Sequence, residues 1–295
     1  MKKLFLTGAS GFLGGHVFFQ AQDRFQLLGT FLHNPSGHEI PNWTQIDLTN
    51  FFDVFELVMD FNPDVIIHTA ANSNLDDCER NPDAAREANV QSTANLVGIA
   101  AQMGTRFIHL STDMVFEGSA SLYTEEDEPN PLSVYGKTKL QSERMVQRLN
   151  NSVIVRSALI YGRPQIGGSS FSMWMEDRLQ NKVQVPLYRD QFRSPVLVDN
   201  LAEILLELCD STFAGVLHLG SPNRVNRLTF GEQMCDIGGY DSNLLRSISM
   251  DDQDTAAPRP RDVSLNVSRA QSMLATKLLS TEHGLERMFK KNNME

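Results

Sequence analysis

Near its start the chain reads "KLFLTGASGFLGG", and few local patterns restrict the choice of fold so sharply. The apolar run at 3–7 has the length of a buried strand. Gly8, Gly11 and Gly14 follow at three-residue spacing, and the apolar positions of "FLGGHVFFQAQ" then recur with helical period. A strand, a glycine turn and a helix in that order open a dinucleotide-binding βαβ unit. Gly8 permits the tight turn, and Gly11 lets the backbone approach a pyrophosphate. Gly14 allows close packing of helix on strand, and the helix N-terminus offers free N–H groups to the anion. Without the flanking strand and helix, the same glycines would be only a small-residue turn.

The rest of the chain continues the alternation. Strands are predicted at 25–31, 43–47, 63–71, 105–112, 152–162 and 215–221. Helices are predicted in "NFFDVFELVMDF", with Asn50 as N-cap, over about 82–103, after residue 133, in "SSFSMWMEDRLQ" and in "VDNLAEILLELCD". One or two more belong to the tail from about 268, and 251–262 reads as a polar, proline-broken loop. Strands separated by helices imply an α/β fold, a Rossmann-like doubly wound parallel sheet covered on both faces. The dinucleotide-binding part is expected over 1–162, with the chain returning to it around 197–221. Residues 163–295 are expected to form mainly a smaller, substrate-binding part.

Composition excludes several classes. The 295 residues carry a formal charge of -10, which argues against nucleic acid as the main partner. Cys78, Cys209 and Cys235 are far apart, with no CxxC pair, and read as buried thiols in a reducing compartment. The opening apolar run is too short for a signal peptide, and no stretch is apolar for long enough to span a membrane. The expected location is cytoplasmic.

The region after the second strand bears on the cofactor. An acidic side chain there usually holds the ribose 2′-hydroxyl of NAD. "GTFLHNPSG" has none before Glu39, so NADP(H) is favoured and NAD(H) stays open. His33, Asn34 and Ser36 are the candidates for meeting a 2′-phosphate. Asp47, after the third strand, is either an adenine contact or a solvated strand-end carboxylate. His68 reads as a satisfied core histidine.

The fifth strand ends "HLSTD", placing Ser111, Thr112 and Asp113 at the carboxyl edge of the sheet, where ligands of open α/β folds bind. Tyr135 and Lys139 open the following helix, and their i,i+4 spacing puts them on one face. An ammonium beside a phenol lowers its pKa from roughly 10 and makes it a better proton donor. Alone, the pair would be an ordinary helix face. With the glycine turn and Thr112, it is a candidate site for reducing a carbonyl. Thr112 would hold the carbonyl and Tyr135 would protonate it. Arg193, in "DQFRSP", is either a substrate-phosphate ligand or a surface arginine.

These segments resemble the extended short-chain dehydrogenase/reductases, and within them the dTDP-4-dehydrorhamnose reductase branch. The resemblance covers nearly the whole chain. "TGASGFLG" and "YGKTK" belong to the wide superfamily, whereas "STDMVFEG" and "DDCERNPDAAREANV" are specific to the branch. "DQFRSPVLVDNLA" and "RPRDVSLN" extend the match. The resemblance implies an NADPH-dependent reductase acting on the 4-keto group of a nucleotide-activated deoxysugar, as in polysaccharide biosynthesis. Its catalytic residues would be Thr112, Tyr135 and Lys139. Its cofactor site would comprise Gly8, Ser10, Gly11, Phe12, Leu13, Gly14, His33, Asp47, Leu48, Ala70 and Ala71, with the structural Asn89. Tyr135 and Lys139 also reach the cofactor, the lysine through the nicotinamide ribose. Asp113, Val115, Leu159 and Arg193 would lie near the sugar nucleotide. No metal is implied, and a homodimer remains open. Leu159 stands where the family has tryptophan, which bears on the nucleotide. Met114 stands where sugar-nucleotide 4,6-dehydratases carry a glutamate, which argues against that reaction. The same branch includes the NADP-binding regulatory β subunit of methionine adenosyltransferase, and epimerases share the fold.

Overall fold

The computed structural model describes residues 1–33, 37 and 40–290. The first half alternates as its apolar pattern requires: β1 (Lys2–Thr7), α1 (Phe12–Ala21), β2 (Phe25–Phe31), β3 (Trp43–Gln45), α2 (Phe51–Phe61) and β4 (Val65–His68). Next come α3 (Leu75–Arg80), α4 (Pro82–Arg86), a π-helical turn at Glu87–Gln91, α5 (Ser92–Met103) and β5 (Arg106–Thr112). A 3-10 turn, Asp113–Val115, leads towards α6 (Val134–Val146) and β6 (Ser152–Ser157). The second half is broken into shorter pieces: β7 (Ile160–Tyr161), α7 (Phe171–Gln180), β8 (Val185–Tyr188), β9 (Phe192–Arg193), β10 (Val196–Leu197) and α8 (Val198–Leu208). It ends with β11 (Gly215–Leu219), β12 (Val225–Asn226), α9 (Arg227–Gly238), β13 (Leu245–Ile248), α10 (Ser268–Met273) and α11 (Thr281–Lys290).

Seven strands form one sheet in the order β11-β6-β5-β4-β1-β2-β3, and every neighbouring pair is parallel. The order reverses between β1 and β4. In a doubly wound sheet that reversal opens a crevice at the carboxyl ends of the strands. Strands buried on both faces should be continuously apolar, and the middle of β1, Leu4, Phe5 and Leu6, is 0 % exposed. Leu4 and Leu6 pack with α1 and α8 on one face, while Phe5 packs with Val54, Val58, Leu96 and Ile99 of α2 and α5 on the other. A separate apolar cluster joins Met175, Leu187, Phe230 and Leu285 of α7, β8, α9 and α11.

Three expectations need correction. The stretch 152–162 is not one strand. It leaves the sheet after Ser157, and Ile160 and Tyr161 pair instead with Val196 and Leu197. Asn50 stands at the N-cap of α2 but makes no capping bond; its amide donates to Asp53 at 2.6 Å instead. The helix expected over 82–103 contains the π-helical turn, and α3 precedes it. Most of 251–262 is irregular as expected, yet Ala257, Pro260 and Asp262 are buried against the body of the protein. All three cysteines are free and buried. Among the described residues, no helix is long and apolar enough to cross a membrane.

Candidate active site

The β1–α1 turn is built for close approach. Gly8 has φ +71°, and a Cβ on it would lie 2.9 Å from the backbone of Ala70. At Gly14 a Cβ would fall 1.9 Å from the Gly8 carbonyl oxygen, so only glycine lets α1 sit on the turn. Gly11 is the N-cap of α1, and no side chain caps it, which leaves the first-turn N–H groups open to an anion. A cavity of about 660 Å³ begins here, lined by Gly8, Ser10 and Gly11, and runs past His33, Asp47, Leu48, Ala70 and Ala71. Thr30 and Phe31 at the end of β2 and Leu32 and His33 just after it form one wall, and none of the four is acidic. Asn34, Ser36 and Glu39 lie outside the described residues. Asp47 folds back on its own loop, accepting from the Thr49 N–H at 2.9 Å and hydroxyl at 2.8 Å.

A second cavity, of about 400 Å³, shares Gly8, Gly11, Thr69 and Ala71 with the first. Phe12, Leu13, Gly14, Thr112, Asp113, Tyr135, Lys139, Leu159 and Arg193 line it. The helix bearing the phenol is held in register locally. The Ser133 hydroxyl accepts from the Gly136 N–H and caps α6, and Gly136 packs so tightly that a Cβ would meet the Met114 carbonyl at 2.3 Å. That contact sets Tyr135 beside the end of β5, where Thr112 draws the phenol down against the effect of burial. Thr112 also accepts from the Met114 N–H at 3.1 Å and donates to Asp113 at 3.1 Å.

The electrostatics differ from the expectation for an isolated helix face. Burial pushes the Tyr135 phenol above its ordinary value, and Asp113 and Cys78 push the same way against the pull of Thr112. Tyr135 and Lys139 both line the same cavity, and the lysine charge is also felt by His68 and His109. Burial lowers Lys139 to about 8, and Glu143 opposes that fall. His68 is a satisfied core residue, with its ring nitrogens on the hydroxyls of Thr7 at 2.7 Å and Thr93 at 3.0 Å. Burial drives it down to about 3.

Arg193 is not a surface residue; it is 4 % exposed. Its Nε lies 3.6 Å from Asp113, and it donates to the Phe192 carbonyl at 2.7 Å. Burial raises the Asp113 carboxyl despite this arginine. Two further arginines, unforeseen in the sequence, line the same cavity. Arg259 donates to Asp76 at 2.9 Å, tying "LDDCER" to "RPRD". Arg227 donates through Nε to Gln191 at 2.9 Å and lies 4.4 Å over the Phe171 ring. Its Nη1 is buried with no hydrogen-bond partner, and burial followed by Arg193 lowers it to about 9.

Two sequence candidates stand away from both cavities. Val115 is fully buried, packing with Phe116 and Tyr123. Asn89, in the π-helical turn, works from behind the wall. It accepts from the Asn72 N–H at 2.7 Å and donates to the Asn72 carbonyl and the Thr138 hydroxyl, each at 3.0 Å. It thereby links the loop after β4 to α6. Among the described residues, no group of three or more His, Cys, Asp or Glu side chains is placed to hold a metal ion.

Residues 1–294 match a family model described as the RmlD substrate binding domain. The chain is 34% identical over 277 residues to the probable low-salt glycan biosynthesis reductase Agl14 of Haloferax volcanii, covering 92% of this chain and 91% of that protein. It is 31% identical over 281 residues to methionine adenosyltransferase 2 subunit beta of Bos taurus, covering 92% of this chain and 82% of that one. Among solved structures, dTDP-4-dehydrorhamnose reductase from Bacillus anthracis in complex with NADP superposes with a TM-score of 0.88 at 26% identity. That superposition covers 98% of this chain and 99% of the other.

Proposed function

The chain belongs to the RmlD substrate-binding-domain family of extended short-chain dehydrogenase/reductases, and on that premise we propose that it is an NADPH-dependent reductase of a nucleotide-activated 4-keto deoxysugar. One observation carries the reading. Thr112, Tyr135 and Lys139 line a cavity that is continuous with the glycine turn through Gly8, Gly11, Thr69 and Ala71.

The residues of the larger cavity fit a dinucleotide phosphate. The uncapped start of α1 receives the pyrophosphate, and the non-acidic wall ending in His33 tolerates a 2′-phosphate. When bound, NADPH supplies a hydride to the carbonyl carbon and leaves as NADP⁺. Thr112 turns its one hydroxyl proton from Asp113 to the carbonyl oxygen and holds that oxygen against the phenol. Tyr135, which keeps its proton at neutral pH because burial raises its pKa, passes that proton to the same oxygen. The product is an alcohol, and Tyr135 regains a proton from solvent. Lys139 supplies positive charge beside the reacting groups and a donor for the nicotinamide ribose. Arg193, Arg227 and Arg259 give the outer cavity its charge for the substrate diphosphate. Arg227 keeps one donor, its buried Nη1, without a protein partner to offer that diphosphate.

The test is a panel of nucleotide-4-keto-sugars offered with NADPH and with NADH. NADPH oxidation with at least one member, and slower oxidation of NADH, supports the reading. The similarity to methionine adenosyltransferase 2 subunit beta favours a second reading, an NADP-binding partner protein. NADPH binding without turnover of any keto-sugar, together with tight association to a methionine adenosyltransferase, would establish that one instead.

A further inference from the structure

One buried group beside the candidate catalytic residues has no part in the reduction described above. Glu143 is 0 % exposed and stands one helical turn beyond Lys139, on the same face of α6. Its carboxylate is clamped. Arg156 donates to it from Nε at 3.1 and 3.2 Å and from Nη2 at 2.9 Å, and the Ser111 hydroxyl donates to Oε1. Arg156 is itself only 3 % exposed, and its guanidinium lies 5.2 Å over the Phe116 ring. Ser111 directly precedes Thr112 on β5, so the clamp ties α6 to the strand that holds the carbonyl-binding hydroxyl.

A buried ion pair is weak evidence for stability, because desolvating two charges offsets their attraction. Its position points to a different role. Lys139 is 2 % exposed, and burial alone discharges an ammonium. The groups around it otherwise supply no counter-charge. From β4 and β5 it faces His68 and His109, both held neutral by burial. Arg156, on β6, carries positive charge. Tyr135, on α6 itself, and Cys78, on α3, are neutral, with burial raising both. Asp113 is turned towards Arg193, and Glu79 of α3 is engaged with the Val134 N–H at 3.0 Å. The π-helical turn presents Asn89 and carries Glu87 exposed, α5 has no titratable side chain, and Asp83 and Arg86 of α4 are exposed.

We propose that Glu143 is a positioning residue for the reduction, its clamped carboxylate supplying the buried negative charge that keeps Lys139 an ammonium aimed at the cavity. Arg156 and Ser111 hold the carboxylate at the α6–β5 seam, one helical turn from the lysine on α6. The opposing influence of Glu143 on Lys139 agrees with this geometry. The catalytic meaning of the inference rests on the function proposed above; its electrostatic content does not.

The experiment follows the ¹³Cε resonance of Lys139 against pH in lysine-labelled protein, assigned by its absence from Lys139→Met. Glu143→Gln keeps a hydrogen-bonding side chain and removes the charge. An opposite charge at close range shifts a titration by roughly 1–3 units, so the Lys139 midpoint should fall by about one unit or more. The alkaline limb of the kcat profile should move with it, and Glu143→Asp should restore both. Glu143→Gln leaves Arg156 buried and uncompensated, so the double variant Glu143→Met/Arg156→Met removes the whole pair and must lower the midpoint too. An unchanged Lys139 midpoint in either folded variant overturns the proposal. A lowered midpoint in a protein that reduces no keto-sugar would retain the electrostatic role and refute the proposed reaction instead.

Discussion

Gly14→Ala and Gly11→Ala separate the two duties of the glycine turn, packing and ligand approach. At Gly14 the added methyl carbon would stand 1.9 Å from the Gly8 oxygen, 2.7 Å from its carbonyl carbon and 3.1 Å from the Ala9 Cα. These are backbone atoms, well inside the roughly 3.5–4.0 Å of optimal carbon contact, and they cannot rotate away. Overpacking of this kind costs about 1–3 kcal/mol and occasionally more. Alanine returns up to about 1 kcal/mol of helix propensity. A site this crowded belongs at the upper end, so the net loss should be about 2 kcal/mol, or roughly 3 °C in Tm for a chain of this size. At Gly11 the only atom near the methyl is the Gly8 oxygen, at 3.2 Å, and the backbone, φ -81° and ψ 173°, suits alanine. Replacing glycine at an N-cap should cost under about 1 kcal/mol. The new methyl would instead stand over the open helix start, and NADPH affinity should fall about tenfold or more, which is about 1.4 kcal/mol. Urea unfolding and fluorescence titration with NADPH measure the two effects. Wild-type stability in Gly14→Ala would show that α1 is not pinned to the turn. Wild-type NADPH affinity in Gly11→Ala would show that no anion approaches there.

Further outcomes follow from the same geometry. His33→Asp should weaken NADPH binding several-fold and leave NADH nearly unchanged, because the new carboxylate would repel only a 2′-phosphate; equal effects in titrations with both cofactors would remove His33 from the ribose. His68 and His218, each lowered by burial to about 3, bind protons in the unfolded chain before the folded one. Their contribution, a few kcal/mol each, is complete above about pH 6.5 and is lost as pH falls towards 3; urea midpoints that stay level between pH 7 and pH 4 would contradict this. Leu159→Trp should raise the catalytic efficiency for dTDP-linked substrates relative to other nucleotides, and an unchanged preference would make the position neutral. Arg227→Lys should raise KM for the nucleotide sugar about tenfold with a smaller change in kcat, since the charge stays and the bidentate fork is lost; steady-state kinetics that leave KM untouched would place the diphosphate elsewhere.

What could be read in the chain alone was what depends on neighbours in sequence. The β1–Gly8–α1 unit, the non-acidic stretch after β2 and the i,i+4 pair Tyr135 and Lys139 carry their meaning in a few adjacent residues. The strand break after Ser157 had no local signal. It arises because Ile160 pairs with Val196, far along the chain. Arg227 and Arg259 entered the cavity unannounced for the same reason, and nothing in "NRLTF" marks an arginine whose Nη1 faces no partner. The spacing of Tyr135 and Lys139 could be read locally, but the burial that raises the phenol and lowers the lysine comes from elements far along the chain. Val115 sits in a motif beside Asp113, yet the 3-10 turn points one residue to the cavity and the other into the core.

The central claim is that Tyr135 delivers a proton to a sugar ketone as NADPH delivers hydride. Its most direct test is NADPH consumption with dTDP-4-dehydrorhamnose and other nucleotide-keto-sugars, comparing wild type with Tyr135→Phe. The phenylalanine keeps the ring and removes one oxygen, so NADPH should bind as before. General acid catalysis is worth about 10²–10⁴-fold, and kcat should fall by that order. Turnover by Tyr135→Phe close to that of wild type would contradict the account.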